Sequence, residues 1–363
     1  MAQSLFIQWV DKYFPSITVR VVEKFNDDKR QPSYLYKRML TPAYNASGKW
    51  DTLSINNQIV MADVIAMDSS LPVKSRPAVA RASGDIPKVG MELFLNEKQL
   101  TDLDTLIAQG GTQAQINQVL FNDIPKVIGG VLERNERIFL EGLSTGVALV
   151  DTDNEGTGVR IDYGFATANK RGVAVIWNTA NAATSTPVTD IQKLMDVANA
   201  NGDTPVKVLM DMTALAGFTA SAEAKGNFAF LGGISTSAAN IPTLGQAQVQ
   251  TLFRDKWGID LEIVNRTVKY QIDKTITNLK PWADGRVVFV SNNNVGNLEY
   301  SRLAEQNHPV EGVNYQTADG YILVSKYREN RPSLREFTSS QARVVPVINA
   351  DGIYTLDTKT VQA

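Results

Sequence analysis

Residues 124–146 read IPKVIGGVLERNERIFLEGLSTG. Together with the residues just before them, they place Ile116, Leu120, Ile124, Ile128, Leu132, Phe139 and Leu143 four or seven positions apart. That is helical spacing. Thr112 or Gln113 opens the run, and Gly146 provides a left-handed stop. Glu133–Arg137 and Arg137–Glu141 add opposite-charge pairs at i,i+4. Two features weaken this helix. Pro125 lacks an N–H and crowds the carbonyl four residues back, so it kinks or splits the helix near residue 121. Gly129 and Gly130 soften the next turn. The spacing predicts a long helix with a built-in weak point.

Before it, Asn96 caps a shorter helix that Gly110-Gly111 ends. Residues 51–95 read as extended chain. Their stretch SSLPVKSRPAVARASGDIPKVG has too few large apolar residues for a core of its own, and its prolines favour β or polyproline geometry. It is expected to project and pack on another subunit, with Lys74, Arg76, Arg81 and Lys88 as contacts. Residues 1–50 read as an arm: an amphipathic piece from Leu5 to Phe14 stopping at Pro15, then ITVRVVEKF alternating as a strand. The arm has eight basic against four acidic residues, a surplus of four positive charges. A solvated face is the ordinary meaning of such a surplus. The sharper one puts Lys29 and Arg30 near nucleic acid.

After the long helix, VALVDTDNEGTGVRIDYG reads as two strands around a polar turn, and GVAVIW (172–177) as a third strand. Residues 188–330 alternate helix and strand. TDIQKLMDVANANG is a helix capped by Thr189 and stopped at Gly202. MTALAGFTASAEAKGNF is a second, and AQVQTLFRDKWG a third, stopped at Gly258. The tail reads as a hairpin, SLREFTSSQARVVPVI returning as IYTLDTKTV through NADG. The class is α+β in two lobes.

Composition excludes much chemistry. The 363 residues contain no cysteine and one histidine, His308. Disulfides, thiolate nucleophiles and multi-histidine metal sites are therefore ruled out. The formal charge is −2, so no strong positive field draws phosphates. No 18-residue apolar run and no signal-peptide pattern occurs, so neither a membrane span nor export is expected. Phosphate-binding glycine motifs are absent. Asp151, Asp153, Glu155 and Asp162 fall at positions 1, 3, 5 and 12 of a calcium-loop pattern. However, position 12 is Asp rather than Glu and the flanks read as strands, so a plain turn is the stronger reading. GLSTG (142–146) matches G-x-S-x-G, with Ser144 as nucleophile and His308 as base. Here the helix precedes the serine, the reverse of a nucleophile elbow. No cofactor site is read, and no catalytic constellation emerges.

The order of parts resembles the major capsid protein of tailed bacteriophages, the Hong Kong 97-type fold, and within it the lambda-like major capsid protein E family. The resemblance rests on the arm, the proline- and base-rich extended loop, the helix IPKVIGGVLERNERIFLEGLSTG and the closing LREFTSSQARVVPVINADGIYTLD. It implies an N-terminal arm (1–50), an extended loop (51–95) and a peripheral domain with spine helix and β-insertion (96–187). An axial domain (188–330) and C-terminal strands returning to the peripheral domain (331–363) complete it. The implied role is structural rather than enzymatic: a homo-oligomer of pentamers and hexamers forming an icosahedral head around double-stranded DNA. Portal, scaffold and decoration proteins are the implied partners, and assembly is expected in the bacterial host cytoplasm. The spine helix of the family bends and straightens, for which Pro125, Gly129 and Gly130 are the local candidates. The competing readings are an encapsulin-like cargo shell, a two-domain serine hydrolase and a minor virion or adhesin protein.

Overall fold

The computed structural model describes residues 2–27, 33–55, 79–154, 158–233 and 240–362. In chain order it opens with helices α1 (Ile7–Phe25) and α2 (Leu35–Met39). Strands β1 (Leu40–Tyr44), β2 (Lys49–Ile55), β3 (Val79–Asp85) and β4 (Lys88–Leu95) follow. Next come α3 (Glu97–Ala108), α4 (Gln113–Leu120), α5 (Ile124–Thr145), β5 (Val147–Val150), β6 (Val159–Asp162) and β7 (Lys170–Val173). The middle holds α6 (Pro187–Ala200), β8 (Lys207–Met210), α7 (Met212–Ala220), α8 (Ala222–Leu231) and α9 (Gln246–Trp257). Strands β9 (Asp260–Ile263), β10 (Val268–Ile272), β11 (Thr275–Leu279), β12 (Arg286–Val290) and β13 (Gly296–Ser301) come next. The chain closes with α10 (Ala304–Asn307), β14 (Asn314–Ala318), β15 (Ile322–Glu329), β16 (Arg335–Ile348) and β17 (Ile353–Val361).

These elements cluster into two units. The first comprises Met1–Trp50, Gly84–Ile138 and Asn297–Val347. The second comprises Asp51–Ser83, Phe139–Gly296 and Ile348–Ala363. Residues 297–330, grouped by the sequence reading with 188–296, cluster with the first unit because β13, β14 and β15 join its sheet. That sheet has six strands in the order β1-β13-β16-β15-β14, with β4 also pairing β16.

Several local expectations change. Pro15 does not end the first helix, and ITVRVVEKF is helical rather than a strand. The buried residues Val10, Phe14, Thr18 and Val21 recur at helical intervals, while Pro15 lies on the exposed side. The carbonyl it deprives of a donor belongs to Asp11, which lies on the exposed side of the helix. The described part of residues 1–50 also buries side chains within the chain itself, including Val10, Phe14, Tyr36 and Met39. Pro125 splits the long helical stretch as expected: α4 ends at Leu120, and Pro125 stands in the first turn of α5. Asn96 and Thr112 are capping-box residues, each bonded by the N–H three residues on.

In the first unit the central polar feature is Lys326 on β15, which is fully buried. Its ammonium donates to the Leu120 carbonyl and to Thr338 Oγ1, each at 3.1 Å. It lies 4.0 Å from the carboxylate of Glu336, also fully buried, and 5.8 Å from the Phe121 ring centre. Glu336 in turn accepts bonds from Ser4 Oγ and the Leu5 N–H. The cation thus neutralises the carbonyl end of α4, and its partner carboxylate ties the start of the chain to β16. Burial lowers the Lys326 ammonium to about 8, opposed by Glu336 and Asp123. Burial raises Glu336, opposed first by Lys326.

The second unit is a five-stranded sheet, β7-β17-β12-β8-β9, covered by helices. β12 runs antiparallel to both β8 and β17, whereas β7 and β9 pair parallel at the edges. Its core packs Val208, Met210, Val287 and Phe289 from the sheet against Leu194, Phe218, Leu252 and Phe253 from the helices. Helix α6 begins at Pro187, not at a Thr189 cap. The carboxylate of Glu223 on α8 does the capping, accepting from the Val188 N–H at 2.7 Å and the Thr189 N–H at 3.2 Å. The stretch read as one helix from Met212 is two. Ser221 breaks it, donating to the Phe218 carbonyl at 2.9 Å and accepting from the Ala224 N–H at 3.1 Å. The strand read over 172–177 stops at Val173. The tail hairpin is also corrected. β16 and β17 do not pair: β16 lies in the six-stranded sheet and β17 in the five-stranded one. β16 pairs instead with β15 and β4, and β17 with β12 and β7.

Lys326→Met leaves Glu336 buried without its cation. We expect a loss of about 3–5 kcal/mol in urea unfolding at neutral pH, mostly recovered by Lys326→Met/Glu336→Leu. The folded ammonium titrates near 8, against an ordinary 10.5. The unfolded chain therefore holds the extra proton between those values, and the Lys326 contribution to stability rises with pH across that window. Unfolding curves of the double variant should lack this rise.

Candidate assembly interface

Helix α5 is buried on several sides. Asn135, Glu136 and Arg137 are all buried, although a polar triplet with two charges is ordinarily solvated in a helix. Glu136 has a definite task. Helix α2 has no side-chain cap of its own, and the Glu136 carboxylate accepts from the Leu35 N–H at 3.0 Å and the Tyr36 N–H at 3.1 Å. Glu133, one turn earlier, accepts from the Tyr34 hydroxyl at 3.0 Å. Tyr36 then meets Tyr321 hydroxyl to hydroxyl at 3.2 Å. Burial pushes both phenols up, so they stay protonated. These anchors were not legible in sequence, since the only signal was acidic residues inside an otherwise apolar helix.

Gly129 and Gly130 have a packing reason beyond flexibility. A Cβ on Gly129 would meet the Phe25 ring at 3.2 Å, and one on Gly130 would overlap Met91 Sδ. The pair forms a notch in α5 that admits α1 and β4. Pro125 occupies the first turn, where its missing N–H costs nothing.

The ribbon β2–β3 leaves the first unit through a tight base. The Arg343 guanidinium donates to the Gly48 and Ile86 carbonyls at 3.1 and 3.2 Å. The Ile86 N–H donates to the Gly48 carbonyl at 3.0 Å. Buried Trp50 lies against Gly84, where a Cβ would be 2.8 Å from the indole nitrogen. Arg81 falls on β3, and Lys88 opens β4 with its side chain exposed. Lys74 and Arg76 lie outside the described residues, as do Lys29, Arg30 and Glu155.

The calcium pattern does not converge. In the β5–β6 hairpin Asp162 pairs with Val147, at the end away from the turn that carries Asp151 and Asp153. Four residues of strand separate them, roughly 13 Å, whereas calcium ligands lie about 2.3–2.6 Å from the ion. Asp162 instead accepts from the Gly164 N–H at 3.0 Å. Among the described residues no three acidic or imidazole groups gather as a metal site. The serine of GLSTG is equally committed. Ser144 is fully buried, donates to the Glu141 carbonyl and accepts from the Ala283 N–H, both at 3.1 Å. It joins a helix end to a loop and presents no oxygen to a substrate, while His308 stands exposed at the end of α10. No described helix is long and apolar enough to cross a membrane.

Gly130→Ala should cost about 1 kcal/mol in the native background, because Met91 must move. In a Met91→Ala background the same change should stabilise by up to about 1 kcal/mol, through helix propensity alone. Urea unfolding of the four proteins in this cycle measures the change of sign.

Comparison with known proteins places the fold. A putative capsid protein of a prophage in E. coli CFT073 superimposes with a TM-score of 0.56 at 12% identity, covering 93% of this chain and 97% of that one. A phage-related protein from Bordetella bronchiseptica RB50 gives a TM-score of 0.50 at 11% identity, covering 96% and 97%. None of the curated proteins matches. The family model of phage major capsid protein E matches residues 18–356. Across nearly its whole length, then, the chain belongs to the phage major capsid protein E family, and its role is that of a structural capsid subunit rather than an enzyme.

Proposed function

We propose that this subunit assembles as pentamers and hexamers into an icosahedral head that encloses double-stranded DNA. The observation carrying this reading is the capsid-family match over residues 18–356. The state of Ser144, the candidate nucleophile, fits it, since both of its bonds go to backbone groups. Within such a head, residues 1–50 are the arm and 51–95 the extended loop. Residues 96–187 form the peripheral domain and 188–330 the axial domain, except that 297–330 cluster with the first unit and its six-stranded sheet, and 331–363 are the closing strands. Lys74, Arg76, Arg81 and Lys88 meet a neighbouring subunit. Lys29 and Arg30 face the packaged DNA, which the small net charge holds without tight binding. Portal, scaffold and decoration proteins complete the head, which is built in the host cytoplasm.

The same reading gives α5 a moving role. Pro125, Gly129 and Gly130 are its hinge, bent in the precursor shell and straight in the mature one. Phe25 and Met91 pack against these two glycines, so a bend of α5 at this point would have to move them.

Negative-stain microscopy of the expressed protein, alone and with a scaffold, is the direct test. Closed isometric shells or rings of five and six are expected, and a monodisperse monomer throughout would refute the reading. Shells that hold DNA and a portal, rather than an enclosed enzyme, separate a phage head from a cargo compartment. For the hinge, Gly129→Ala/Gly130→Ala shells should stall before expansion, and normal expansion would remove the idea.

A further inference from the structure

Tyrosines are concentrated in one run. Of the eleven in the chain, five touch in succession through the first unit. Tyr34 lies 5.9 Å from Tyr36, ring centre to ring centre. Tyr36 meets Tyr321 hydroxyl to hydroxyl at 3.2 Å. Tyr321 lies 5.7 Å from Tyr300, and Tyr300 lies 5.8 Å from Tyr44. These ring spacings are those of direct aromatic contact. The run leads from the interior to the surface. Tyr34, Tyr36 and Tyr321 are buried, Tyr300 is half-buried, and Tyr44 is 53% exposed.

A phenol gives up an electron readily only if its proton leaves as well, and the buried phenols have acceptors. Tyr321 donates to the Asp319 carboxylate, so Tyr36 is the donor in the Tyr36–Tyr321 pair. Asp319 is held in place by the Lys37 ammonium at 2.6 Å and the Asn26 amide at 3.0 Å. Tyr34 donates to the Glu133 carboxylate at 3.0 Å. The second unit differs. There Trp177 and Trp257 are joined through Phe218 and Phe253, rings with no hydroxyl proton to lose. Thiolates are a common first site of oxidation, and this chain has no cysteine to compete.

We propose that the run carries a one-electron oxidising equivalent from the buried tyrosines to Tyr44, which makes Tyr44 the site of oxidative modification in the first unit. The oxidant is an oxygen-derived radical, and it is reduced by the electron it takes from Tyr321. The Tyr321 proton passes to Asp319, which leaves a neutral tyrosyl radical in place of a buried cation. Tyr300 then gives an electron to that radical and a proton to water, and Tyr321 recovers its proton from Asp319. Tyr44 repeats the step toward Tyr300, which takes a proton back from water. In sum the oxidant has gained one electron, water has gained one proton, and the radical stands on Tyr44. A vacancy on Tyr36 joins the same route, its proton moving to Tyr321 as that of Tyr321 moves to Asp319. Direction is set by what can end the radical. The buried phenols are closed to reagents, whereas Tyr44 meets soluble reductants and other tyrosyl radicals. Two Tyr44 radicals from different molecules couple through their ring carbons, and the ring hydrogens move to the phenolic oxygens.

The test is ionising irradiation of unassembled subunits in frozen solution, which strips electrons from buried and exposed residues alike. Thawing and mass-spectrometric mapping of the tyrosines follow. The unaltered protein should carry its first-unit oxidation at Tyr44, chiefly as dityrosine between two copies, with Tyr36 and Tyr321 intact. Tyr300→Phe keeps the ring and removes the phenol. It should keep the native circular dichroism, lose the Tyr44 dityrosine and gain damage at Tyr36 and Tyr321. Equal Tyr44 oxidation in the two proteins overturns the proposal, because exposure alone then explains it. Oxidation of Tyr36 or Tyr321 in the unaltered protein overturns it as well. Should Tyr300→Phe fail to fold, Tyr44→Phe decides: oxidation displaced to Tyr300 supports the route, and an intact Tyr300 overturns it. These measurements need no shell, so their failure leaves the capsid reading standing.

Discussion

A lysine ammonium shut away from water must find its partners inside the protein, and much of the first unit is arranged around that demand. Lys326 reaches across from β15 to the last carbonyl of α4, to a threonine on β16 and to the Glu336 carboxylate. The contacts reach two other segments, the end of α4 and the strand β16. The carbonyl marks the place where the long helical stretch breaks, and the carboxylate holds Ser4 and Leu5 at the opposite end of the sequence. Losing the pair as a unit is tolerable; losing one member is not, because the other charge has no water to return to. The same logic recurs at Glu136 and Glu223, where a carboxylate from a distant helix caps a helix that lacks a cap of its own.

What could be read from sequence follows from how local each signal is. The caps at Asn96 and Thr112, the stop at Gly258 and the split before Pro125 depend on neighbours within four residues, and all are found. ITVRVVEKF failed because β-branched residues carry both patterns. The stripe of Val10, Phe14, Thr18 and Val21 decides for helix only when the chain is read across Pro15. The closing strands failed for a different reason. NADG is a good turn, but a turn does not choose the partners of the strands it connects. Lys326, Glu136 and Glu223 were invisible because a charge is assumed to face water until tertiary packing shows otherwise. The calcium pattern failed because strand register, rather than spacing, decides which carboxylates can meet.

The residues that chemistry singled out turn out to be structural. Ser144 spends both of its bonds on backbone groups, and Gly129 and Gly130 make room for Phe25 and Met91. That is consistent with a capsid subunit, whose useful surfaces are those left incomplete in the isolated chain.

The position of β17 has a consequence for how the protein is made. It lies inside the five-stranded sheet, between β7 and β12, yet it leaves the ribosome after every other strand of that sheet. Until residues 353–361 emerge, β12 has one open side, and Tyr354 and Leu356 are missing from the hydrophobic core. The sheet therefore cannot close before those residues emerge, and its contacts are of the long-range kind that form slowly. A polypeptide released early lacks the strand that seals the unit. A break in the chain before residue 353 thus leaves β12 and β7 without the strand that lies between them.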